Sequence, residues 1–314
     1  MSNITTIVTE FLLLGFPDTQ ALKILYSLLF FLLYLSGLMG NLLIVIITIF
    51  DRRLHTPMYF FLRNLSIVDA CYISVTVPLA SINSLLNNRV ISVSGCAAQI
   101  FLLVFLAYFE LTLLTVMARD RYVAICHPLH YTVIMHPSVC MKMTLTCLVT
   151  GLFYSGFHTG YTFRLSFCQS NVIHQFFCDI PSLLKISCSE TFSNMLSLFI
   201  TILVVGLGCF GFIIASYIRI FSTVLRFPVI EDQRKAFYTC LPHIIVVSLF
   251  LLSIGFVYLQ PSSQSGSIKD IILSISYSIV PPFLNPIIYS LRNKQIKASI
   301  RLVMSRKLLL SNVE

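Results

Sequence analysis

Seven long apolar segments constrain this chain more than any other feature of its sequence. The segments cover residues 24–50, 56–82, 96–125, 140–163, 191–225, 237–259 and 271–291. A helix needs roughly 20 apolar residues to cross about 30 Å of hydrocarbon, whereas a transmembrane strand uses only about 9–11 residues. The segments therefore predict an all-α membrane protein, a bundle of seven transmembrane helices.

The composition supports a membrane protein with one domain. The chain is 57% hydrophobic and 11% charged, with a mean hydropathy of +0.90, whereas a soluble domain carries about 25% charged residues. The seven segments use most of the 314 residues, so we predict a single domain, with residues 1–23 before the first span and 292–314 after the last. The net charge of +9 does not indicate a nucleic-acid partner, because the basic residues are scattered at the ends of apolar segments.

The distribution of basic residues predicts the orientation. Of the 21 lysines and arginines, sixteen lie on the side of the membrane that carries the C-terminus and five on the other side. Positive charge is retained in the cytoplasm, so the N-terminus is expected outside. An odd number of spans brings the C-terminus inside, which agrees with a multi-pass protein of the plasma membrane.

Both chain ends carry a motif that depends on this orientation. Asn3-Ile4-Thr5 is an acceptor sequence for glycosylation on the predicted outer side, so a glycan is expected on Asn3. At the other end, residues 292–310 mix basic and apolar side chains. They are typical of a short amphipathic helix on an anionic leaflet, which makes membrane lipid an expected partner. A frayed basic tail is the alternative.

Four of the ten cysteines lie on the predicted outer side. They are Cys96, Cys168, Cys178 and Cys188. An oxidising exterior favours disulfides, but four cysteines allow three connectivities and their spacing does not choose among them. A zinc site that includes His174 is the competing hypothesis, although ten-residue steps do not resemble the short ligand spacings of structural zinc sites.

Two carboxylates inside predicted spans are candidates for function, because ionisable groups are costly in a membrane. Asp69 and Glu110 are expected at about the same depth, and Asn41 and Asn285 could join them in one polar layer. Two close carboxylates either bind a cation or share a proton. A sodium ion at Asp69 and Glu110 is the first hypothesis. The alternative is a network of neutral carboxyl groups that specifies helix packing.

Motifs at the ends of the spans resemble those of the olfactory receptor branch of the rhodopsin-like G-protein-coupled receptors. The resemblance covers nearly the whole chain, and each motif lies where the predicted topology requires it. The motifs are LHTPMYFFLRNLS (54–66), MARDRYVAICHPLHY (117–131), RLSFC (164–168), HQFFCDIPSLLKISCSET (174–191), SYIRI (216–220), KAFYTCLPH (235–243) and PPFLNPIIYSLRN (281–293). From the residues alone, the charges at 119–122 would be no more than a positive-inside anchor.

The resemblance implies roles for particular residues. It pairs Cys96 with Cys178 and Cys168 with Cys188. It assigns Asp69 and Glu110 to an intramembrane polar pair. It also implies a cytoplasmic switch that includes Asp120, Arg121, Tyr217 and Tyr289.

The resemblance further implies a ligand pocket between the third, fifth and sixth spans, under the long outer loop. The expected lining residues are Leu103, Val104, Ala107, Tyr108, Thr201, Val205 and Tyr258. Helical spacing places Leu103, Ala107 and Leu111 on one face. The mostly apolar lining indicates a small, neutral and rather apolar odorant.

The implied function is odorant reception coupled to a heterotrimeric G protein of the stimulatory olfactory type, which raises cyclic AMP. No cofactor and no enzymatic activity are expected. The sequence departs from the family pattern at Arg119, Leu148 and Leu251, which bears on the strength of signalling. A secondary transporter of a small solute is the alternative function, although transporters usually contain repeated halves and this sequence contains no visible repeat.

Overall fold

The structure is a computed structural model that describes residues 8–14, 19–85, 90–168, 171–259, 279–293 and 295–302, without the side chains of 84, 253–259, 291 and 292. Ten described helices follow one another along the chain. They are α1 (Gln20–Phe50), α2 (Pro57–Leu85), α3 (Val93–Cys126), α4 (Tyr131–Ile134), α5 (Pro137–Thr162), α6 (Ile180–Ile186), α7 (Phe192–Val224), α8 (Ile230–Leu259), α9 (Val280–Arg292) and α10 (residues 295–302). Short 3₁₀ turns cover Arg52–Leu54 and Pro128–His130.

The helices confirm the predicted all-α bundle. Within the described ranges, six helices are long and apolar enough to cross a membrane, namely α1, α2, α3, α5, α7 and α8. The described part of the seventh predicted segment is α9. Large apolar side chains cover the outward faces of these helices, and Phe153 for example is 75% exposed. Exposing such a large apolar surface to water is unfavourable, whereas contact with lipid chains is not.

The sixth long helix begins before the predicted start at residue 237. It starts at Ile230, and Glu231 and Asp232 in its first turn favour the positive end of the helix dipole. Glu231 pairs with Arg234 at 2.8 Å and Asp232 with Lys235 at 3.2 Å, one helical turn apart. A search for apolar length missed this turn because ion pairs and the dipole stabilise it.

Helix α3 lies at the centre of the bundle, where it contacts α2, α5, α7 and α8. Helix α9 packs closely on α1. A Cβ atom on Gly40 would lie 3.1 Å from Cγ of Pro286, so glycine is needed for this approach. This packing holds the described residues of the seventh predicted span against α1.

A small sheet lies at one end of the bundle. Strand β1 (Glu10–Leu13) pairs with β2 (Val90–Ser92) in antiparallel fashion and with β3 (Val172–Ile173) in parallel fashion, so the order is β2-β1-β3. Phe11 is fully buried, and its ring meets that of Phe167 edge-on at 5.4 Å. This end also carries the two disulfides described below and is called the disulfide end.

The opposite end carries Arg121 and is called the Arg121 end. Here α10 packs beneath the turn that joins α1 to α2, with Ile296 buried and Lys297 and Arg301 exposed. The part of the predicted amphipathic segment that forms α10 is 295–302, and residues 294 and 303–310 of that segment lie outside the described residues. The Ser299 hydroxyl donates a hydrogen bond to the Asp51 carboxylate at 2.6 Å. Hydrogen bonds from the Arg53 side chain and from Ser299 hold the pKa of Asp51 well below its usual range.

Candidate functional site

A cavity of about 270 Å³ opens between α3, α5, α7, α8 and α9, beneath the loop that leads into α6. Most of its walls are apolar. Five of the predicted pocket residues line it, namely Leu103, Val104, Ala107, Tyr108 and Val205. Thr201 is not among the described lining residues, and the side chain of Tyr258 lies outside the described part of the chain. Asn3 also lies outside it.

The roof of the cavity is the segment Phe177–Pro181, which a disulfide and a glutamine hold in place. The structure joins Cys178 to Cys96 at the start of α3, with their Cα atoms 5.5 Å apart. The Gln99 carbonyl oxygen accepts a hydrogen bond from the Cys178 backbone N–H at 2.8 Å, and its amide donates to the Val75 carbonyl at 2.9 Å. Gln99 therefore connects the roof to α2 and α3.

A second disulfide joins Cys168 to Cys188, with Cα atoms 5.8 Å apart. This is the pairing that the family resemblance implies. Because all four cysteines are in disulfides, none is left as a thiolate ligand for the competing zinc site at His174. Within the described ranges, no group of three or more metal-ligating side chains comes together.

Asp179 begins α6 at the edge of the cavity. One carboxylate oxygen of Asp179 accepts a hydrogen bond from the Ser182 backbone N–H at 3.1 Å, so Asp179 caps the short helix. Burial raises the pKa of Asp179, and the hydrogen bonds from Ser182 and the charge of Lys185 oppose that rise. The side chain thus has a structural role as well as a position in the cavity wall.

One wall of the cavity contains a polar aromatic cluster. The rings of Tyr108 and Tyr154 stack at 4.8 Å between α3 and α5, and Tyr154 meets the ring of His158 at 4.5 Å. The Thr201 hydroxyl lies 3.0 Å from Nε2 of His158 and next to Tyr154. Thr201 therefore contacts residues of this wall, although it is not among the described lining residues. Sequence reasoning missed Tyr154 and His158, although a histidine within an apolar span is a signal that could have found His158.

The predicted intramembrane polar pair, Asp69 and Glu110, lies at the floor of the cavity, where Glu110 is the member that lines it. The amide of Asn285 donates to Asp69 at 3.0 Å and to Glu110 at 3.5 Å, and all three side chains are buried. Asn41 donates instead to the backbone carbonyls of Pro282 and Gly37, so it holds α1 against α9 and does not contact the carboxylates.

Three buried oxygens of this layer have no hydrogen-bond partner among the described residues. They are one oxygen each of Asp69, Asn41 and Asn285. A buried acceptor without a donor is costly. Buried oxygens without donors can bind a hard cation, because such cations take oxygen ligands. Alternatively, the two carboxylates can share a proton.

The Arg121 end gathers the predicted switch residues. Asp120 accepts a hydrogen bond from the Tyr131 hydroxyl at 2.7 Å, and burial raises the pKa of that hydroxyl. The Arg121 guanidinium contacts the sulfur of Met58 on α2, and no ion pair of Arg121 is present among the described residues. The hydroxyl of Tyr289 is buried without a hydrogen-bond partner in that part of the chain.

Tyr217 is joined to a residue that sequence reasoning did not single out. Its hydroxyl lies 2.7 Å from Nδ1 of His243 on α8, and Nε2 of the same ring lies 3.0 Å from the Leu114 carbonyl on α3. His243 is fully buried. An ionisable side chain within an apolar span would have indicated it.

Comparisons with known proteins agree with this arrangement. Residues 30–307 match the family model described as olfactory receptor. The chain is 61% identical to human olfactory receptor 14C36 over all of both chains, and 52% identical to human olfactory receptor 14A16 over 98% of this chain and 99% of the other. The crystal structure of squid rhodopsin superposes with a TM-score of 0.70 at 16% identity, covering 92% of this chain and 87% of that one.

Proposed function

Because the chain belongs to the olfactory receptor family of G-protein-coupled receptors, we propose that it detects a small, mostly apolar volatile in the cavity beneath Phe177–Pro181. Members of this family are receptors for small molecules that act through a G protein, and they are not enzymes. The observation that carries the proposal is the largely apolar cavity, which is bounded by the same helix, α3, that carries Arg121 at its other end. The family match gives no support to the transporter alternative.

The proposed orientation places the disulfide end outside the cell. The excess of basic residues on the opposite side supports it, because positive charge is retained in the cytoplasm. Two disulfides also suit an oxidising exterior. The plasma membrane is the proposed location, since an odorant from outside then reaches the cavity and a G protein inside reaches Arg121.

The proposed contact with the G protein centres on the Arg121 end. Leu129 is 91% exposed and Val133 is 74% exposed, and both project from the short segment after α3. Exposed apolar side chains next to polar ones are typical of a protein-binding surface. The proposed partner is a stimulatory G protein of the olfactory type. Exposed Lys297 and Arg301 on α10 suit the anionic inner leaflet, so lipid is proposed as a further partner.

The proposed occupant of the floor is a sodium ion at Asp69 and Glu110. The unpartnered oxygens of Asp69 and Asn285 supply the kind of ligands that a hard cation takes. A shared proton is the competing occupant. Thermal unfolding of the purified receptor in sodium chloride and in choline chloride separates them, because only sodium binding makes stability depend on the cation at constant pH and ionic strength.

A signalling experiment tests the proposed function. The full-length chain is displayed on cells that contain the stimulatory olfactory G protein, and cyclic AMP is recorded against a broad odorant panel. We expect a ligand-dependent rise that Arg121→Ala abolishes. Lys142→Ala is the matched control, since Lys142 is an exposed basic residue on α5. Silence of a receptor with confirmed surface display would contradict the proposal.

A further inference from the structure

The polar groups that line the cavity differ in whether they already have partners. Glu110 accepts a hydrogen bond from Asn285, Asp179 caps α6, and the Tyr154 hydroxyl lies next to Thr201. The Tyr108 hydroxyl has no hydrogen-bond partner among the described residues, although its side chain lines the cavity. A ligand can therefore use this hydroxyl without breaking an existing bond.

Packing fixes the position of Tyr108. Its ring stacks on Tyr154 at an interplanar angle of 30°. On the α5 side, a Cβ atom on Gly151 would lie 3.1 Å from Cδ1 of Tyr108 and 3.2 Å from Cδ2 of Phe105. The two rings therefore pack directly against the backbone of Gly151. A hydroxyl held in one place costs little entropy when it binds a ligand.

The charges around the cavity disfavour ionised ligands. Glu110 and Asp179 are the acidic residues of its wall, and none of the described lining residues is Lys, Arg or His. An ionised acid would lose its hydration and meet carboxylates without a compensating cation. An amine would find both carboxylates already engaged, Asp179 by the start of α6 and by Lys185, and Glu110 by Asn285.

From these contacts we infer that the ligand is a neutral molecule with one oxygen that accepts a hydrogen bond, such as a ketone, aldehyde or ester, and that the Tyr108 hydroxyl donates this bond. The inference rests on the proposed function and names its ligand class. The cavity of about 270 Å³ is close to the lower end of small-molecule pockets, which span about 300–1,000 Å³. That space suits a small volatile whose apolar part contacts Leu103, Val104 and Ala107.

The test varies the functional group on a constant carbon skeleton. Each skeleton that activates the receptor in the broad panel is assayed as its ketone, hydrocarbon, primary amine and carboxylic acid; for an eight-carbon chain these are 2-octanone, octane, octylamine and octanoic acid. We expect the ketone to act at the lowest concentration. Tyr108→Phe should weaken the ketone roughly three- to tenfold, the usual value of one hydrogen bond, and leave the hydrocarbon unchanged.

Tyr154→Phe is the matched control, because it removes the hydroxyl of the tyrosine that stacks on Tyr108 and lies next to Thr201, and it should affect all four compounds alike. Silence towards every compound of the broad panel overturns the proposed function. A receptor that responds best to amines or acids keeps that function and overturns the ligand class. Ketone responses that Tyr108→Phe and Tyr154→Phe reduce equally overturn the role of Tyr108.

Discussion

Tyr217 and His243 form a hydrogen bond that links three helices at the Arg121 end. Nε2 of His243 lies beside the Leu114 carbonyl, which can only accept, so in the neutral ring Nε2 donates and Nδ1 accepts from the Tyr217 hydroxyl. The path from Tyr217 through His243 to Leu114 connects α7, α8 and α3. The proposed G protein would have to separate these helices to enter between them, so we expect the bonds to stabilise the closed arrangement.

We expect His243→Leu to raise signalling in the absence of ligand. Each lost bond removes about 1 kcal/mol from the closed state, which shifts the equilibrium towards the open state roughly fivefold. Cyclic AMP without odorant, normalised to surface expression, measures the shift. Tyr238→Phe is the control, because Tyr238 is exposed on the same helix. Basal signalling that stays at the wild-type level would refute a closing role for His243.

The two disulfides should differ in their contribution to stability. Cys96–Cys178 closes 82 residues and Cys168–Cys188 closes 20. By chain entropy alone they contribute about 4.5 and about 3.3 kcal/mol respectively. We expect Cys178→Ser to lower the unfolding temperature of the solubilised receptor more than Cys168→Ser. Cys71→Ala, a change at a free cysteine, controls for loss of a thiol. Equal unfolding temperatures in all three variants would mean that the disulfides do not form.

The parts of the fold that depend on long apolar runs could be predicted from the sequence, and the shorter parts could not. The spans were predicted because burial in lipid requires about twenty apolar residues, a signal that is hard to miss. The strand Glu10–Leu13 was not predicted, because four residues are too few for a periodic pattern. The start of α8 at Ile230 was not predicted for another reason, because ion pairs and not apolar length stabilise that turn.

Asp51 makes the stability of the Arg121 end depend on pH. Its pKa is lowered in the folded protein from an ordinary value of 3.8, first by Arg53 and then by Ser299. A carboxylate with a lowered folded pKa contributes stability above its unfolded pKa and loses that contribution as the pH falls towards the folded value. We expect Asp51→Asn to lower the unfolding temperature at pH 7, with a difference from wild type that shrinks below about pH 4.

Ser299→Ala provides the comparison for Asp51, because it removes one of the two hydrogen-bonding side chains and leaves Arg53. Its effect at pH 7 should be in the same direction as that of Asp51→Asn and smaller. A difference between wild type and Asp51→Asn that is constant from pH 7 to pH 3 would contradict the assignment. The readout is thermal unfolding of the solubilised receptor at fixed ionic strength.

The candidate site was predicted in part, and its missing residues have a common physical cause. Leu103, Ala107 and Tyr108 lie on the inward face of α3, as helical spacing requires. Thr201 was expected in the wall but is not among its described lining residues, and its hydroxyl lies 3.0 Å from Nε2 of His158. Which neutral polar side chain reaches a cavity depends on rotamers and on neighbouring helices, and a single sequence does not contain that information.

Gly151 gives the sharpest test of how the cavity wall is built. A methyl group at this position would press on Tyr108 and Phe105 from 3.1 and 3.2 Å, closer than ordinary van der Waals contact. Gly151→Ala should therefore move Tyr108 and weaken the response to the receptor's ketone ligand by roughly tenfold, about 1.4 kcal/mol. Gly160→Ala on the same helix is the matched control, because its added Cβ has no neighbour within 4 Å among the described residues beyond the local helix backbone. Both changes favour helix equally, so equal responses from the two variants would show that the position of Tyr108 does not control ligand binding.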